Sequence, residues 1–229
     1  MAASTAVDYQ RMEEGLQALL GHHAAVSCCS TDGDVTTLAP IERSAIGGAI
    51  SRRQKEFAAG RAAAREAMRR LGRSAVSIPM QEDRSPHWPV DLVGSISHSH
   101  TICVSVVALK SHWKAVGVDV EPDQDLPCEL WSLIGLPNEL RRVSALPEAI
   151  QARWMMRLFS AKEAFYKWMY PQTLRVLEFH DVEVVMDLSL ESTKFQVNPH
   201  HLEGNGIWAK PLAGKLAIGQ GIIISLIIN

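Results

Sequence analysis

Apolar and polar positions change their period several times along the chain, and each period predicts an element. Residues 1–40 are weakly patterned, with a helix over Tyr9–Leu20 and a short apolar strand near 24–29. Residues 41–71 are rich in Ala, Arg and Glu and free of Pro. There Phe57, Ala64, Met68 and Leu71 recur at helical spacing, and Gly72 supplies a C-terminal stop. Pro79, Asp83, Ser85, Pro86 and Pro89 crowd into residues 76–89, which predicts a turn-rich loop. Strands are expected at 92–96 and Ile102–Leu109, joined by the polar SHSHT of residues 97–101, with His98 at the turn.

In the second half, residues 116–121 alternate Val with Gly, Asp and Glu before Pro122, the period of a strand with one buried face. A helix is expected over 148–170, stopped at Pro171, followed by strands at Val182–Met186, 194–197 and Ile222–Ile228. No short repeat is visible, yet strand-rich and helix-rich segments recur in both halves. A boundary near Lys114 gives two domains, 1–114 and 115–229. The apolar run at 221–228 is too short to span a bilayer and reads as a buried strand.

Composition narrows the function classes. With 47% hydrophobic and 21% charged residues, the chain reads as an ordinary soluble globular protein. A net charge of −2 gives no global case for nucleic acid or an anionic membrane, so any anion site must be local. A local cluster does exist, because Arg52, Arg53, Lys55, Arg61, Arg65, Arg69, Arg70 and Arg73 share one short stretch. The four cysteines lack paired zinc-ligand spacing and the density of a secreted disulfide scaffold, and no basic start precedes an apolar N-terminal run. Reduced thiols in a cytoplasmic protein are therefore expected.

The candidate chemistry lies in two places. A strand over 116–121 puts Asp119 and Glu121 on one face, where two carboxylates repel unless a cation joins them; all-oxygen ligands favour a hard ion such as Mg²⁺. The bland alternative is the solvent face of an edge strand. On the later helix Glu163 and Lys167 lie four residues apart, which by itself describes an ordinary surface ion pair. The surrounding Phe159, Phe165, Tyr166 and Trp168 argue instead for a half-buried face bearing Lys162, Glu163 and Lys167. Taken together, Asp119, Glu121 and Glu163 would hold Mg²⁺ with positions left open for water and phosphate oxygens.

Five ordered segments carry a resemblance: RRQKEFAAGRAAAREAMRRLG (52–72), DRSPHWP (83–89), GSISHS (94–99), GVDVEP (117–122) and FSAKEAFYKW (159–168). Together they resemble the Sfp-type 4′-phosphopantetheinyl transferases, within the branch that includes the EntD-like enzymes of siderophore synthesis. The resemblance spans roughly residues 40–168. It implies an α/β (α+β) pseudo-dimer: two similar halves, each a small, mostly antiparallel sheet packed with helices, with the active site in the cleft between them. It implies a monomeric enzyme that moves the 4′-phosphopantetheine arm of coenzyme A to a serine of an apo acyl or peptidyl carrier protein. It implies Mg²⁺ as the cofactor, with Mn²⁺ able to substitute.

Residue by residue, the resemblance makes Asp119, Glu121 and Glu163 the metal ligands and Glu163 and Lys167 the catalytic pair, with Lys167 on the pyrophosphate. Arg53, Arg61, Arg84 and His98 would bind the phosphates at the nucleotide end, and Ser97 and Lys162 are weaker candidates for that pocket. Phe159 stands where many relatives have Trp, and N-terminal basic residues of some relatives lack a counterpart. Two alternatives stay open on the residues alone: an idle module that binds coenzyme A or a carrier protein, and a Mg²⁺-dependent phosphodiesterase.

Overall fold

The computed structural model describes residues 7–187, 189, 192–199 and 211–229. The chain divides into two compact units between Val116 and Gly117. The class is mixed α and β, with two sheets packed by helices.

The first unit opens with helix α1 (Tyr9–Leu20), whose first turn is capped by the Asp8 carboxylate accepting from the Arg11 amide at 3.1 Å. Leu16 and Leu20 are its buried side. Strand β1 (Ala24–Ser30) follows, then the short helix α2 (Pro40–Ser44) and the long helix α3 (Ser51–Arg70). The continuous helix expected over 41–71 is thus two helices. Pro40 starts α2, and Gly47 and Gly48 lie in the break, where glycine's backbone freedom weakens a helix. Gly72, at φ 68°, ends α3 with its own amide on the Arg69 carbonyl and the Arg73 amide on the Met68 carbonyl.

Strands β2 (Leu92–Ser99) and β3 (Ile102–Leu109) form a hairpin, and the antiparallel sheet has the order β1-β3-β2. His98 is not at the turn as expected. It pairs with Cys103 inside the ladder, and His100, at φ 42°, makes the turn. The small inner face of α3 (Ala59, Ala63, Ala64, Ala67) lets the helix lie close to this sheet, where Met68, Leu92 and Val107 complete the core. The outer edge of β1 is covered by α1 side chains: Gln17 accepts from the Val26 amide and donates to the Ala24 carbonyl, and Glu13 accepts from the Cys28 amide.

The second unit begins with strand β4 (Val116–Pro122), followed by helices α4 (Trp131–Ile134), α5 (Pro137–Ser144) and α6 (Glu148–Thr173). Pro171 lies inside α6 rather than ending it. Its missing amide removes one bond of the last turn, and the helix runs on to Thr173 before Leu174 takes φ 54°. Strands β5 (Val182–Met186), β6 (Lys194–Pro199), β7 (Leu212–Gly219) and β8 (Ile222–Ile228) complete a five-stranded sheet of order β4-β8-β7-β6-β5. The pairs β5–β6, β6–β7 and β7–β8 are antiparallel. The run at 221–228 is a strand inside the sheet, with Ile222 to Ile227 buried. On α6, Trp154, Met155, Leu158, Phe165 and Met169 are buried.

Candidate active site

The candidate cluster begins with a close approach of helix to strand. A Cβ on Gly117 would collide with the Ala164 carbonyl oxygen and the Trp168 amide, so only glycine lets α6 lie this near β4. Two residues on, along the same face of β4, Asp119 is 2% exposed and its Oδ1 accepts from Lys167 Nζ at 2.6 Å. Glu163 is one helical turn before Lys167. Burial pushes its carboxyl above the usual range; the Lys167 ammonium draws it back and the charge of Asp119 adds to the rise. Three side chains from two elements thus form one electrostatic cluster. A cavity of about 300 Å³ adjoins it, bordered by Glu163, Phe165, Tyr166, Leu177 and Phe179.

Glu121 is two residues beyond Asp119 on β4 and half-buried. The carboxylates do not stand as a closed cage, since among the described residues no three acidic, histidine or cysteine side chains come close enough to hold a metal ion. The cation on Asp119 is Lys167 itself. The donor chemistry still suits a hard divalent ion: every candidate ligand is a carboxylate, and the charge of Asp119 adds to the cost of ionising Glu163, which added positive charge relieves.

A second cluster lies in the first unit. Arg53 Nη1 is 2.6 Å from His98 Nε2; a guanidinium only donates, so in neutral His98 this nitrogen is the acceptor and Nδ1 carries the proton. That Nδ1 lies 3.9 Å from Glu56 Oε2. Burial opposes the Glu56 charge, but the hydrogen bond from Arg52, the His98 ring when it is protonated, and the charges of Arg52 and Arg53 outweigh it and hold its carboxyl below the ordinary range. Arg61 is buried, stacked 4.1 Å over the Phe57 ring, with Nε donating to the Ile78 carbonyl at 2.7 Å. Burial lowers its pKa to about 10. Arg84 is exposed at φ 69° in the tight turn bridged by Met80 and Pro86.

Comparison with known proteins identifies the family. Residues 41–108 match the model of the 4′-phosphopantetheinyl transferase N-terminal domain, and residues 115–206 that of the 4′-phosphopantetheinyl transferase superfamily. The chain is 30% identical to the 4′-phosphopantetheinyl transferase Svp of Streptomyces mobaraensis, over 86% of this chain and 80% of that one. It is also 30% identical to the 4′-phosphopantetheinyl transferase PptT of Mycobacterium tuberculosis, over 82% and 85%. The chain belongs to the 4′-phosphopantetheinyl transferase superfamily. Enterobactin synthase component D of Escherichia coli is 34% identical over 51% of this chain and 54% of its own, which agrees with the EntD-like resemblance.

Within this transferase two of the sequence-based phosphate candidates stand differently from expectation. Lys162 is 2% exposed and all three of its N–H donors are committed at 2.8 Å, to the Ile134 carbonyl, Glu139 Oε2 and the Phe179 carbonyl. It ties α6 to α5 and to the segment before β5, and has no donor left for a phosphate. Ser97 follows the two-residue period of β2 and faces away from His98, on the other side of the sheet.

Sequence reasoning missed Glu56 and Glu139. Glu56 was legible in principle, since it lies three and four residues after Arg53 and Arg52 on one helix face. Glu139 was signalled only by its place two residues after Pro137, where a helix-starting glutamate turns back to the Leu136 amide.

Proposed function

We propose that this chain transfers the 4′-phosphopantetheine arm of coenzyme A to a serine of an apo acyl or peptidyl carrier protein, with Mg²⁺, releasing adenosine 3′,5′-bisphosphate. Family membership over most of the chain supports the reaction class. The observation that carries the site is the cluster of Asp119, Glu163 and Lys167, two acids and a base from β4 and α6 within one electrostatic neighbourhood. We further propose a cytoplasmic, monomeric enzyme, on the strength of its free cysteines and its two units in one chain.

In this reading the serine oxygen forms a bond to the phosphorus next to pantetheine, and the bond from that phosphorus to the oxygen of the nucleotide phosphate breaks. Asp119, Glu121 and Glu163 would hold the Mg²⁺. When bound, the ion supplies positive charge that neutralises the pyrophosphate. Lys167 exchanges its contact with Asp119 for the leaving phosphate and stabilises the charge that develops there. Glu163, beside the ion, would take the serine proton directly or through a water. Arg53 and His98, with Arg61 and Arg84, contact the phosphates of the nucleotide end. Glu56 acts as a positioning residue for the Arg53–His98 pair.

Incubating the purified chain with Mg²⁺, coenzyme A and a panel of apo carriers from siderophore, peptide, polyketide and fatty-acid systems tests this reading. The expected result is a phosphopantetheine mass increment on at least one carrier, lost when Mg²⁺ is chelated. No increment on any carrier would sink it.

A further inference from the structure

The three-stranded sheet holds a pair of thiols that the proposed transfer does not use. In β1 the amides of Val26 and Cys28 turn outward to Gln17 and Glu13, and the Val26 carbonyl accepts from Arg70 at 2.7 Å. Residues 25, 27 and 29 therefore direct their main-chain groups at β3. Cys29 lies opposite Cys103 at a hydrogen-bonded position of the antiparallel ladder, where Cα atoms stand about 5.5 Å apart. That spacing is within reach of a disulfide, but the Cβ atoms across such a position, at about 5 Å or more, are wider apart than a relaxed bond prefers. A bond closed here is strained, which favours one that is made and broken over a permanent staple.

The two thiols differ in access. Cys29 is half-buried and borders a cleft of about 500 Å³ with Ser27, Arg65 and Arg69, whereas Cys103 is fully buried beside Ala59 and Ala63. A hydrogen bond from Cys103 draws the Cys29 thiol below its ordinary pKa against the effect of burial; the same bond, with burial, pushes Cys103 up. The reachable thiol, which donates to the Ala59 carbonyl at 3.6 Å, is thus the more acidic, and its partner faces it across the ladder.

We infer that Cys29 and Cys103 are a reversible oxidation site that closes to a disulfide under peroxide. The Cys29 thiolate attacks one oxygen of hydrogen peroxide; the S–O bond forms, the O–O bond breaks, and the departing hydroxide takes a proton to become water. The Cys103 sulfur then attacks the Cys29 sulfur; the S–S bond forms, the S–O bond breaks, and the departing hydroxide takes the Cys103 proton. Each sulfur gives up one electron, and the peroxide is reduced to two waters.

The site also bears on ligand binding, a step that rests on the proposed function. Cys103 pairs with Cys29 on one side and His98 on the other, so the three form one row across the sheet face beneath α3. Drawing Cys103 toward Cys29 moves β3 against His98, which contacts Arg53 and lies near Glu56. The oxidised chain then binds coenzyme A more weakly.

Peptide mapping of the full chain after peroxide treatment and alkylation under denaturing conditions tests the site. The expected result is a Cys29–Cys103 linked peptide that dithiothreitol releases, absent in Cys29→Ser and retained in Cys128→Ser. If wild-type Cys29 and Cys103 both stay alkylatable, or Cys29 links to Cys28 instead, the inference is overturned. Calorimetry with coenzyme A reads the coupling: the wild type should weaken about fivefold on oxidation and Cys29→Ser should not change. Linked protein that binds as tightly as reduced protein overturns the coupling. Reduced protein that binds no coenzyme A overturns the proposed function and leaves the oxidation site standing.

Discussion

Glu42 in the first unit and Glu139 in the second are built into the same frame, and the residues that follow them differ in use. Each comes two positions after a proline, Pro40 or Pro137, and each is 0% exposed. Each turns back to cap its own helix, through the Ala39 or Leu136 amide. Each accepts a further amide from a later segment, Ile78 or Val184. Each meets a base 23 residues on, Arg65 or Lys162. The next residue is again a glutamate, Glu66 or Glu163, and one turn later comes another base, Arg70 or Lys167.

From that point the halves part. The Glu66 side chain is 40% exposed, and the hydrogen bond from Arg69, ahead of burial and Arg70, holds its carboxyl below the ordinary range. Glu163 is half-buried, and desolvation there shifts it the other way. Arg70 reaches the Val26 carbonyl on β1 and the Glu13 carboxylate; Lys167 reaches the Asp119 carboxylate on β4. The frame therefore does not make the candidate site. The desolvation of one glutamate and a carboxylate on the neighbouring strand do.

Removing the frame should cost most where no water can compensate. Glu139→Ala strands the Lys162 ammonium in the core and is expected to cost about 3–5 kcal/mol. Glu42→Ala leaves Arg65, whose side chain is 13% exposed, a path to solvent, and should cost about 1–2 kcal/mol less. Urea unfolding of both variants measures the difference, and equal losses would break the comparison.

The pH dependence of stability should sharpen it. A raised Glu163 pKa means that the folded state binds the proton more tightly than the unfolded one. Its contribution is therefore lost as pH rises from the ordinary glutamate value through the raised folded value. For Glu66 the sign reverses: the contribution is present above the ordinary value and lost as pH falls through the lowered one. In chelator-treated buffer, urea midpoints against pH should show Glu163→Gln removing a downward slope and Glu66→Gln an upward one. Slopes of the same sign would contradict the assignment. At a fixed neutral pH, Glu66→Gln should cost only about 0.3–0.5 kcal/mol, the scale of an exposed pair on one helix face.

Much of this was legible in the chain and some was not, for physical reasons. Helix α1 and strands β5 and β8 were expected at the bounds the structure shows, because period and apolar run agree there. Strand β7 was missed: its Gly214 reads as a breaker, yet it lies opposite Phe195, whose ring fills the space a side chain would need. The repeated frame was invisible because Arg and Lys, and Ile and Asn after the two prolines, share no letters, while burial and hydrogen bonding align them. For the candidate site, the strand period and helical spacing pointed to Asp119, Glu163 and Lys167. The commitment of Lys162 depends on two carbonyls and a carboxylate distant in sequence, which no local pattern records.

The most direct test of the account sets the two glutamates of the repeated frame side by side. Glu163→Gln and Glu66→Gln, each with coenzyme A, Mg²⁺ and an apo carrier that the wild type modifies, are compared by the rate of the phosphopantetheine mass increment. Glu163→Gln is predicted to fall by on the order of 100-fold or more, and Glu66→Gln to stay within about twofold of wild type. Full activity in Glu163→Gln, or a matching loss in Glu66→Gln, would contradict the claim that burial and the Asp119 carboxylate turn this frame into a catalytic site.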